Sequence, residues 1–420
     1  MRKNKNKNKH FFIASAIGVG AFSVFYFFIP AFFSVGYNVD DPKSEVVVAT
    51  SSTKGAVETT PKEPEFVVTH VETPKAVKSI YMTACVASLK SFRDKLVKIA
   101  DTTEVNSIII DVKDFSGTIA YKATDPLLRD NTGTGCRTKD LREFIAELHE
   151  KNIYVIARIT VFQDPYYTKT HPELAVHKRT DGTVWKDGKG LSFVDVSAKP
   201  FWDYIVALGK ESYSLGFDEL NFDYMRFPSD GNMKDIAYPW SKSMPKAEAL
   251  EHFFAYLHDS LKDTGAKLSV DLFGMTATNT DDLNIGQVLE RALPYFDYIA
   301  PMVYPSHYPT GFNGYKNPND HAYDIVQFSM DRAGDRAAAA TTTVAHLGGV
   351  RVGTSTPAVY TKEVYDRNKM RPWLQDFDYG GDYDAAKVRT QIQATYDADL
   401  TSWFLWDPKN IYTKEALKAE

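Results

Sequence analysis

Acidic side chains interrupt a stretch that otherwise has the apolar pattern of a buried strand. The run GFDELNFDYMRFPSD (216–230) includes Asp218, Glu219 and Asp223. Carboxylates in an apolar interior are costly unless they are paired, hydrogen-bonded or used in chemistry. Two-residue alternation places Glu219, Asn221 and Asp223 on one face of the strand. Since the other face is apolar, we predict that this polar face lines an interior, with Asp223 nearest the rim.

A second strand-like run repeats this arrangement. In LSVDLFG (268–274), alternation aligns Asp271 with Ser269 on one face. Asp223 and Asp271 are therefore predicted to lie at equivalent heights on neighbouring strands. Glycoside hydrolysis requires two such carboxylates with different pKa values, one to protonate the leaving oxygen and one to attack the sugar or activate water. The same acids are also compatible with a purely structural ion-pair network.

Basic side chains accompany these acids. Alternation in SIIIDVK (107–113) places Asp111 and Lys113 on one face, either as a ligand-facing pair or as an ion pair that closes the interior. Arg158 in the next strand also points inward, where it needs a carboxylate or a substrate anion. We expect Arg158 to act as a counter-ion that fixes a carboxylate and lowers its pKa. Arg226 is another such neighbour.

Aromatic and hydrogen-bonding residues recur at the remaining strand ends. Flat rings beside amides and carboxylates suit the faces and hydroxyls of sugars, although each ring alone is also typical of core packing. The candidates for substrate binding at these ends are Tyr304, His307, Tyr308, Trp373, Gln375, Trp406 and Asp407, and Asp376 is a further candidate acid.

The elements that must position these residues alternate between strands and helices. Such alternation predicts βαβ units and a parallel sheet. The predicted strands cover 79–87, 107–113, 154–162, 219–225, 268–274, 297–304, 372–377 and 402–408. Eight strands over this length favour a closed (β/α)8 TIM barrel, whose chemistry lies at the carboxyl ends of the strands. No GxGxxG follows the first strand, which disfavours a dinucleotide fold.

Helical patterns fill most of the intervals between these strands. They cover 91–103, 138–152, 199–216, 246–265, 285–296 and 384–400. The stretch from about 334 to 370 fits neither pattern, and we interpret it as an insertion before the seventh strand.

The N-terminal part of the chain has a different composition. Residues 1–10 are a basic tail, and 11–37 form an uncharged apolar segment long enough to span a membrane. The flanking positive charges predict a cytoplasmic N-terminus. We favour an uncleaved signal anchor over a cleaved signal peptide, and both place the body outside the cytoplasm. Residues 38–78 are predicted to be a flexible linker and 79–415 the barrel, so the protein is expected to be a single-pass plasma membrane protein.

Charge and cysteine content exclude several classes of function. The first ten residues hold five of the 49 Lys and Arg, and the remaining 410 have a formal net charge of −10. Nucleic-acid binding, which needs basic surfaces, is therefore disfavoured. The ten His and two Cys show no metal-ligand spacing, so we predict no zinc and no cofactor, while calcium held by loop carboxylates stays open. Cys85 and Cys136 either pair or remain free.

Several blocks of the chain, taken in order, resemble one family. VNSIIIDVKDFSG, IYVIARITVFQD, GFDELNFDYMRFPSD, LSVDLFG, FDYIAPMVYPSHY, RPWLQDF and WFLWDP are similar to the glycoside hydrolase barrel domain family DUF4015. That family is distantly similar to α-amylase-like and polygalactosaminidase-like barrels. The resemblance covers about residues 79–410 and implies a (β/α)8 fold and a polysaccharide or oligosaccharide substrate.

The resemblance also implies roles for individual residues. Asp223 occupies the place of the nucleophile at the end of the fourth strand in α-amylase-like barrels. Asp271 stands near the acid/base position and Asp376 near a third carboxylate, with Glu219 as a rival acid. Asn221 stands where those barrels have an arginine. We therefore predict a membrane-anchored glycoside hydrolase, and the alternative is a non-catalytic barrel that binds glycans or organises the cell envelope.

Overall fold

Eight apolar, β-branched runs form the parallel strands of a closed barrel. The computed structural model describes residues 66–131, 133 and 135–419. Each strand pairs with the strands before and after it in the chain, and the eighth closes on the first. The strands are β1 (Lys78–Met82), β2 (Ser107–Lys113), β3 (Tyr154–Thr160), β4 (Glu219–Asp223), β5 (Lys267–Phe273), β6 (Tyr298–Met302), β7 (Trp373–Gln375) and β8 (Trp403–Trp406). The (β/α)8 prediction is confirmed.

Helices surround the barrel and cover the outer faces of its strands. They are α1 (Ala84–Ser88), α2 (Lys90–Ala100), α3 (Leu141–Glu150), α4 (Tyr167–Thr170), α5 (Lys199–Ser214), α6 (Lys246–Leu261), α7 (Leu289–Ala292), α8 (Ala322–Ala338) and α9 (Ala385–Asp397). In α3, Leu141, Phe144, Ile145 and Leu148 are buried at the i, i+3, i+4, i+7 spacing of an amphipathic helix. A separate inner cluster that includes Tyr81, Ile109, Tyr154, Trp373 and Phe404 fills the barrel.

Three differences from the predicted helices and strands are larger than the shifts at most other boundaries. The first predicted strand ends at Met82, because the Thr83 side chain accepts a hydrogen bond from the Val86 N–H and begins α1. The predicted helix at 285–296 is reduced to α7. Helix α8, which the sequence patterns did not reveal, begins before the predicted insertion and ends inside it.

Short strands outside the barrel build up its loops. Between α8 and β7, Thr341–Thr342, Arg351–Val352 and Val359–Thr361 form an antiparallel sheet. The loops after β3 and β4 are joined where His177–Lys178 pairs with Ile236–Ala237. The Trp185 and Phe193 side chains pack under this junction. These two loops therefore form one wall at the carboxyl ends of the strands, where β4 delivers its acids.

The segment 68–77 lies across the amino-terminal end of the barrel, called here the floor. The Asp218 carboxylate accepts hydrogen bonds from the Val71 N–H at 2.7 Å and from the Val155 N–H, at the start of β3, at 2.8 Å. On the opposite side of the floor, the Val77 N–H donates to Ser402 Oγ at 2.9 Å. Within the described residues no helix is long and apolar enough to cross a membrane. The predicted anchor at 11–37 lies outside those residues.

A disulfide joins Cys85 in α1 to Cys136 in the loop after β2, across a sequence separation of 51 residues. The sequence alone left this pairing open. The bond ties two segments that follow neighbouring strands at the carboxyl-terminal end of the barrel. A crosslink that closes a long loop stabilises a fold mainly by restricting the unfolded chain.

We predict that replacing both cysteines by serine lowers the free energy of unfolding by about 2–4 kcal/mol. Without the crosslink, the unfolded chain regains the conformational freedom that the closed loop had removed. Urea unfolding of the wild type and the double variant measures the change. Wild type treated with a reductant serves as the matched control and should lose the same amount. Equal unfolding midpoints for all three samples would contradict the prediction.

Candidate active site

Arg158 of β3 brings together carboxylates from three other strands. Its Nη1 donates to Asp111 Oδ1 at 2.7 Å, and its Nη2 donates to Asp223 Oδ2. Its Nε lies 3.9 Å from Asp271 Oδ2. The guanidinium also lies over the Tyr81 ring, with its carbon 5.4 Å from the ring centroid. The four residues predicted from alternation on β2, β3, β4 and β5 therefore form one cluster inside the barrel.

The register of the strands explains why these side chains meet. Asp111 is opposite Arg158, and Phe222 of β4 is opposite Val270 of β5. The next residues along these two strands are Asp223 and Asp271, so their carboxylates lie side by side. β4 ends at Asp223 and β5 ends two residues after Asp271. The two acids therefore lie at the carboxyl-terminal mouth of the barrel, where the chemistry of this fold is located.

Asp271 is a buried acid that favours its neutral form. Burial raises its pKa well above the ordinary value, and the charge of Asp223 raises it further. Its Oδ1 accepts hydrogen bonds from Asn221 Nδ2 at 2.9 Å and Trp373 Nε1 at 2.7 Å. Its Oδ2 is buried and has no hydrogen-bond partner. With Oδ1 occupied by two donors, the proton of the neutral acid belongs on Oδ2.

Asp223 is held differently, by charge and by a strained backbone. Its Oδ2 pairs with Arg158, and its Oδ1 accepts the Tyr224 N–H at 2.5 Å. Tyr224 has a φ of 52°, in the left-handed region that a bulky side chain rarely adopts. Such strain persists where the surrounding structure enforces it, typically at functional sites. Here the turn ends β4 and aims the neighbouring N–H at the Asp223 carboxylate.

Asp111 links the cluster to β1. Burial raises the pKa of Asp111 to about 6, although the Arg158 charge opposes this. Its Oδ2 accepts a hydrogen bond from the Tyr81 hydroxyl. The backbone of Tyr81 is fixed in turn, because its N–H donates to the Tyr412 hydroxyl at 2.9 Å. Sequence reasoning missed Tyr81, and the signal that could have found it is its inward position by alternation in β1.

Lys113 does not join this cluster, contrary to the alternation argument. A bulge between Asp111 and Lys113 shifts the register, so Lys113 is opposite Ile159 of β3. Its ammonium pairs with Asp164 Oδ2 at 2.9 Å and donates to the Thr160 carbonyl at 2.5 Å, fully buried. The predicted shared face with Asp111 is therefore wrong, and Lys113 stabilises the start of the loop after β3.

Glu219 and Asp218 lie deeper than the mouth. Glu219 is fully buried and binds Arg371 Nη1 at 2.8 Å and the Tyr154 hydroxyl at 3.0 Å. Asp218 binds His149 Nε2 at 3.1 Å, in addition to its backbone donors at the floor. Both acids thus have structural partners away from Arg158. Glu219, which was predicted as a rival acid, supports the barrel interior, and Asp218 anchors 68–77.

Aromatic side chains line the mouth on the side of β6, β7 and β8. The Tyr304 and Trp406 rings stack with centroids 5.3 Å apart, and Phe377 packs edge-on against Trp406 at 5.2 Å. His307 is exposed, and its ring lies edge-on to the Tyr304 ring with centroids 5.3 Å apart. Phe377, which directly follows Asp376, was absent from the predicted set.

The other predicted residues occupy supporting positions around the mouth. Gln375 is buried, and its Oε1 accepts from Ser306 Oγ at 2.8 Å. The Tyr308 hydroxyl lies 3.0 Å from Ser329 Oγ of α8. Asp407 accepts the Lys409 N–H at 2.7 Å, and burial raises the pKa of Asp407 to about 6. These contacts shape the loops after β6, β7 and β8.

Asp376 is buried at the end of β7 apart from the Arg158 cluster. Thr413 donates to it from its N–H at 2.9 Å and from its Oγ1 at 2.6 Å. Burial nevertheless raises the pKa of Asp376 to about 7. The charges of Asp407 and Asp378 raise the pKa of Asp376 further. No group of three or more His, Cys, Asp or Glu among the described residues has the arrangement of a metal site.

We predict that Asp376→Asn flattens the pH dependence of stability. The pKa of Asp376 is about 7 in the fold, above the ordinary aspartate value, so the folded state binds more protons between about pH 4 and pH 7. The free energy of unfolding of the wild type therefore falls as pH rises through this window. The Asn side chain of the variant does not titrate, so this contribution to the fall disappears. Urea unfolding at pH 5 and pH 8 should show a difference smaller by about 1–3 kcal/mol in the variant.

The matched control for this experiment is Asp382→Asn, which removes an exposed carboxyl from the same loop. It should keep the wild-type difference between the two pH values. Identical pH dependence in wild type and Asp376→Asn would contradict the prediction.

Comparison with known proteins places the chain among glycosyl hydrolase domains. The family model described as "Putative glycosyl hydrolase domain" (DUF4015) matches residues 79–412. A solved hypothetical protein from Ruminiclostridium thermocellum is 31% identical, with a TM-score of 0.42, over 46% of this chain and 96% of its own. The PgaB (BpsB) glycoside hydrolase domain from Bordetella bronchiseptica is 11% identical, with a TM-score of 0.53, over 80% of this chain and 95% of its own. The latter likeness concerns the fold. A search of curated proteins found no match.

Proposed function

The chain belongs to the DUF4015 family of glycosyl hydrolase domains, and from that membership we propose that it hydrolyses glycosidic bonds of a polysaccharide with Asp223 and Asp271 as its catalytic pair. The observation that carries the proposal is the contrast between two adjacent acids. Asp223 is paired with Arg158, whereas burial and the Asp223 charge favour the neutral form of Asp271. Glycoside hydrolysis needs this division into carboxylate and acid.

In this mechanism Asp271 gives its proton to the leaving oxygen as the glycosidic bond breaks. The electron pair of that bond goes to the oxygen, and Asp271 becomes a carboxylate. Asn221 and Trp373, which donate to its Oδ1, then stabilise the new charge. Asp223 attacks the anomeric carbon directly or removes a proton from the attacking water. Arg158 keeps Asp223 oriented for either step.

The aromatic side of the mouth supports a sugar substrate. Tyr304, Trp406 and Phe377 present ring faces and edges beside the catalytic pair. Rings of this kind pack against the apolar faces of sugars, while the adjacent Gln375 and Asp407 region supplies polar groups. This side of the mouth would hold the sugar rings, and the charged side would perform the reaction.

The proposed location is the extracytoplasmic side of the plasma membrane, with an anchor at 11–37. Support comes from the uncharged segment that follows the basic tail and from the Cys85–Cys136 disulfide. Disulfides persist in oxidising compartments outside the cytoplasm. A barrel held there would act on an envelope or extracellular polysaccharide.

One observation favours a second candidate, a barrel that binds glycans without cleaving them. Asp223 and Asp271 are only 4% and 1% exposed, and Arg158 occupies the space between them. A site that only binds, however, has no need for a neutral acid beside a paired carboxylate. The hydrolase is therefore the better-supported proposal, and the variants below distinguish the two.

We predict that Asp223→Asn abolishes hydrolysis, with kcat reduced by about a thousandfold or more, because the amide can neither attack nor act as a base. The full chain is first tested against a panel of envelope and extracellular polysaccharides, and the variant against whichever one the wild type cleaves. Asp230→Asn, an acid of the same loop, is the control and should keep activity. An active, folded Asp223→Asn variant would show that the assignment is wrong.

We predict that the effect of Asp271→Asn depends on the leaving group. Cleavage of the polysaccharide should fall by about a hundredfold or more, since the alcohol leaving group needs a proton. A dinitrophenyl glycoside of the same sugar needs no protonation and should react within about tenfold of the wild-type rate. Equal losses on both substrates would exclude Asp271 as the general acid.

A further inference from the structure

Arg226 is a buried cation with no acid partner in the described part of the chain. It is only 9% exposed, and its hydrogen-bond acceptors are neutral oxygens rather than carboxylates of the described residues. Asp230, four residues further along the same loop, does not bind it. A guanidinium removed from water without an anion is costly, and proteins usually pair such a group. The position therefore calls for an explanation other than a structural salt bridge.

Aromatic rings hold this guanidinium in place. Its central carbon lies 5.0 Å from the Tyr224 ring centroid, 4.9 Å from that of Phe273 and 5.9 Å from that of Phe193. Cation–π contacts of this kind fix the plane of the group without neutralising its charge. The charge remains available to a ligand.

The hydrogen bonds of Arg226 leave one edge unused. Nη1 donates to the Phe227 carbonyl at 3.2 Å and to Ser229 Oγ at 3.1 Å. Nε and Nη2 have no hydrogen-bond partner, and neither is among the atoms sealed from solvent. These two nitrogens carry parallel N–H groups, whose spacing matches the two oxygens of a carboxylate.

The location connects this edge with the catalytic pair. Arg226 follows Asp223 by three residues, and its ring partner Phe273 follows Asp271 by two. Phe193 belongs to the wall formed by the loops after β3 and β4. The guanidinium thus lies at the mouth, between the segments that continue from the two strands carrying the acids. A sugar bound at the catalytic pair has a neighbouring position at this edge.

We propose that Arg226 binds the carboxylate of an acidic sugar, through Nε and Nη2, in a subsite next to the catalytic pair. The inference rests on the proposed function in taking the mouth as the glycan site, and it narrows the substrate class to uronate-containing glycans. The surrounding body is strongly acidic, with a formal net charge of −10 beyond the basic tail. A polyanion would be repelled elsewhere on the surface, so a dedicated cation at the mouth would decide where an acidic glycan binds.

Binding rather than cleavage tests this inference. The full chain is titrated calorimetrically with short oligosaccharides of glucuronate, galacturonate, mannuronate and guluronate, each alongside its neutral methyl ester. At least one uronate should bind about tenfold or more tightly than its ester, as expected for a charge-assisted bidentate contact. Arg226→Gln should reduce this ratio to within about twofold. Arg226→Lys keeps the charge but cannot make a bidentate hydrogen bond, so it should retain only part of the preference for the uronate over its ester.

Arg332→Gln removes an exposed arginine from α8 and serves as the matched control, with the wild-type ratio expected. A preference for uronates that survives in Arg226→Gln would overturn the inference. So would the absence of any uronate preference in the wild type. Because the readout is affinity, failure of Asp223→Asn to abolish hydrolysis would count against the proposed function and leave the Arg226 result to be judged separately.

Discussion

The site depends on one guanidinium placed among three carboxylates. Asp111, Asp223 and Asp271 converge inside the barrel because parallel strands end at a common rim, and their mutual repulsion would oppose that convergence. Arg158 lies on β3, opposite Asp111 of β2 in register and next to β4. Its side chain can therefore reach Asp111 and Asp223 on the two neighbouring strands and Asp271 on β5. Removing a partner from such a buried set costs several kcal/mol, so the fold and the site share this constraint.

The three acids around Arg158 are not bound in the same way, and the two sides of the mouth differ in chemical character. Two acids make direct hydrogen bonds to the guanidinium, whereas Asp271 lies 3.9 Å from it and receives neutral donors instead. One side of the mouth, from β2 to β5, is charged, and the other, from β6 to β8, is aromatic. Trp373 connects the two, since it belongs to the aromatic lining and also donates to Asp271. In the proposed mechanism, this one side chain links the position of the sugar to the position of the proton.

Regular features of this site could be predicted from sequence, and irregular ones could not. Two-residue alternation correctly placed Asp111, Arg158, Asp223 and Asp271 on inward faces, because pleating alone sets that direction. The same rule failed for Lys113, where an inserted residue shifts the register without a mark in the sequence. Helix α8 was missed. The disulfide pairing was left open and the contact of Asp218 with the segment 68–77 was missed, because each joins residues far apart in the chain.

The contact of Asp218 with the segment 68–77 also fixes where this segment lies relative to the candidate site. The chain reaches the barrel along its floor, where Asp218, Ser402 and the start of β3 fix residues 68–77. The proposed catalytic groups lie at the other end of the same strands. The segment 68–77 and the proposed chemistry are thus at opposite poles of the barrel, and this segment takes no part in the surface that a polymer would meet at the mouth.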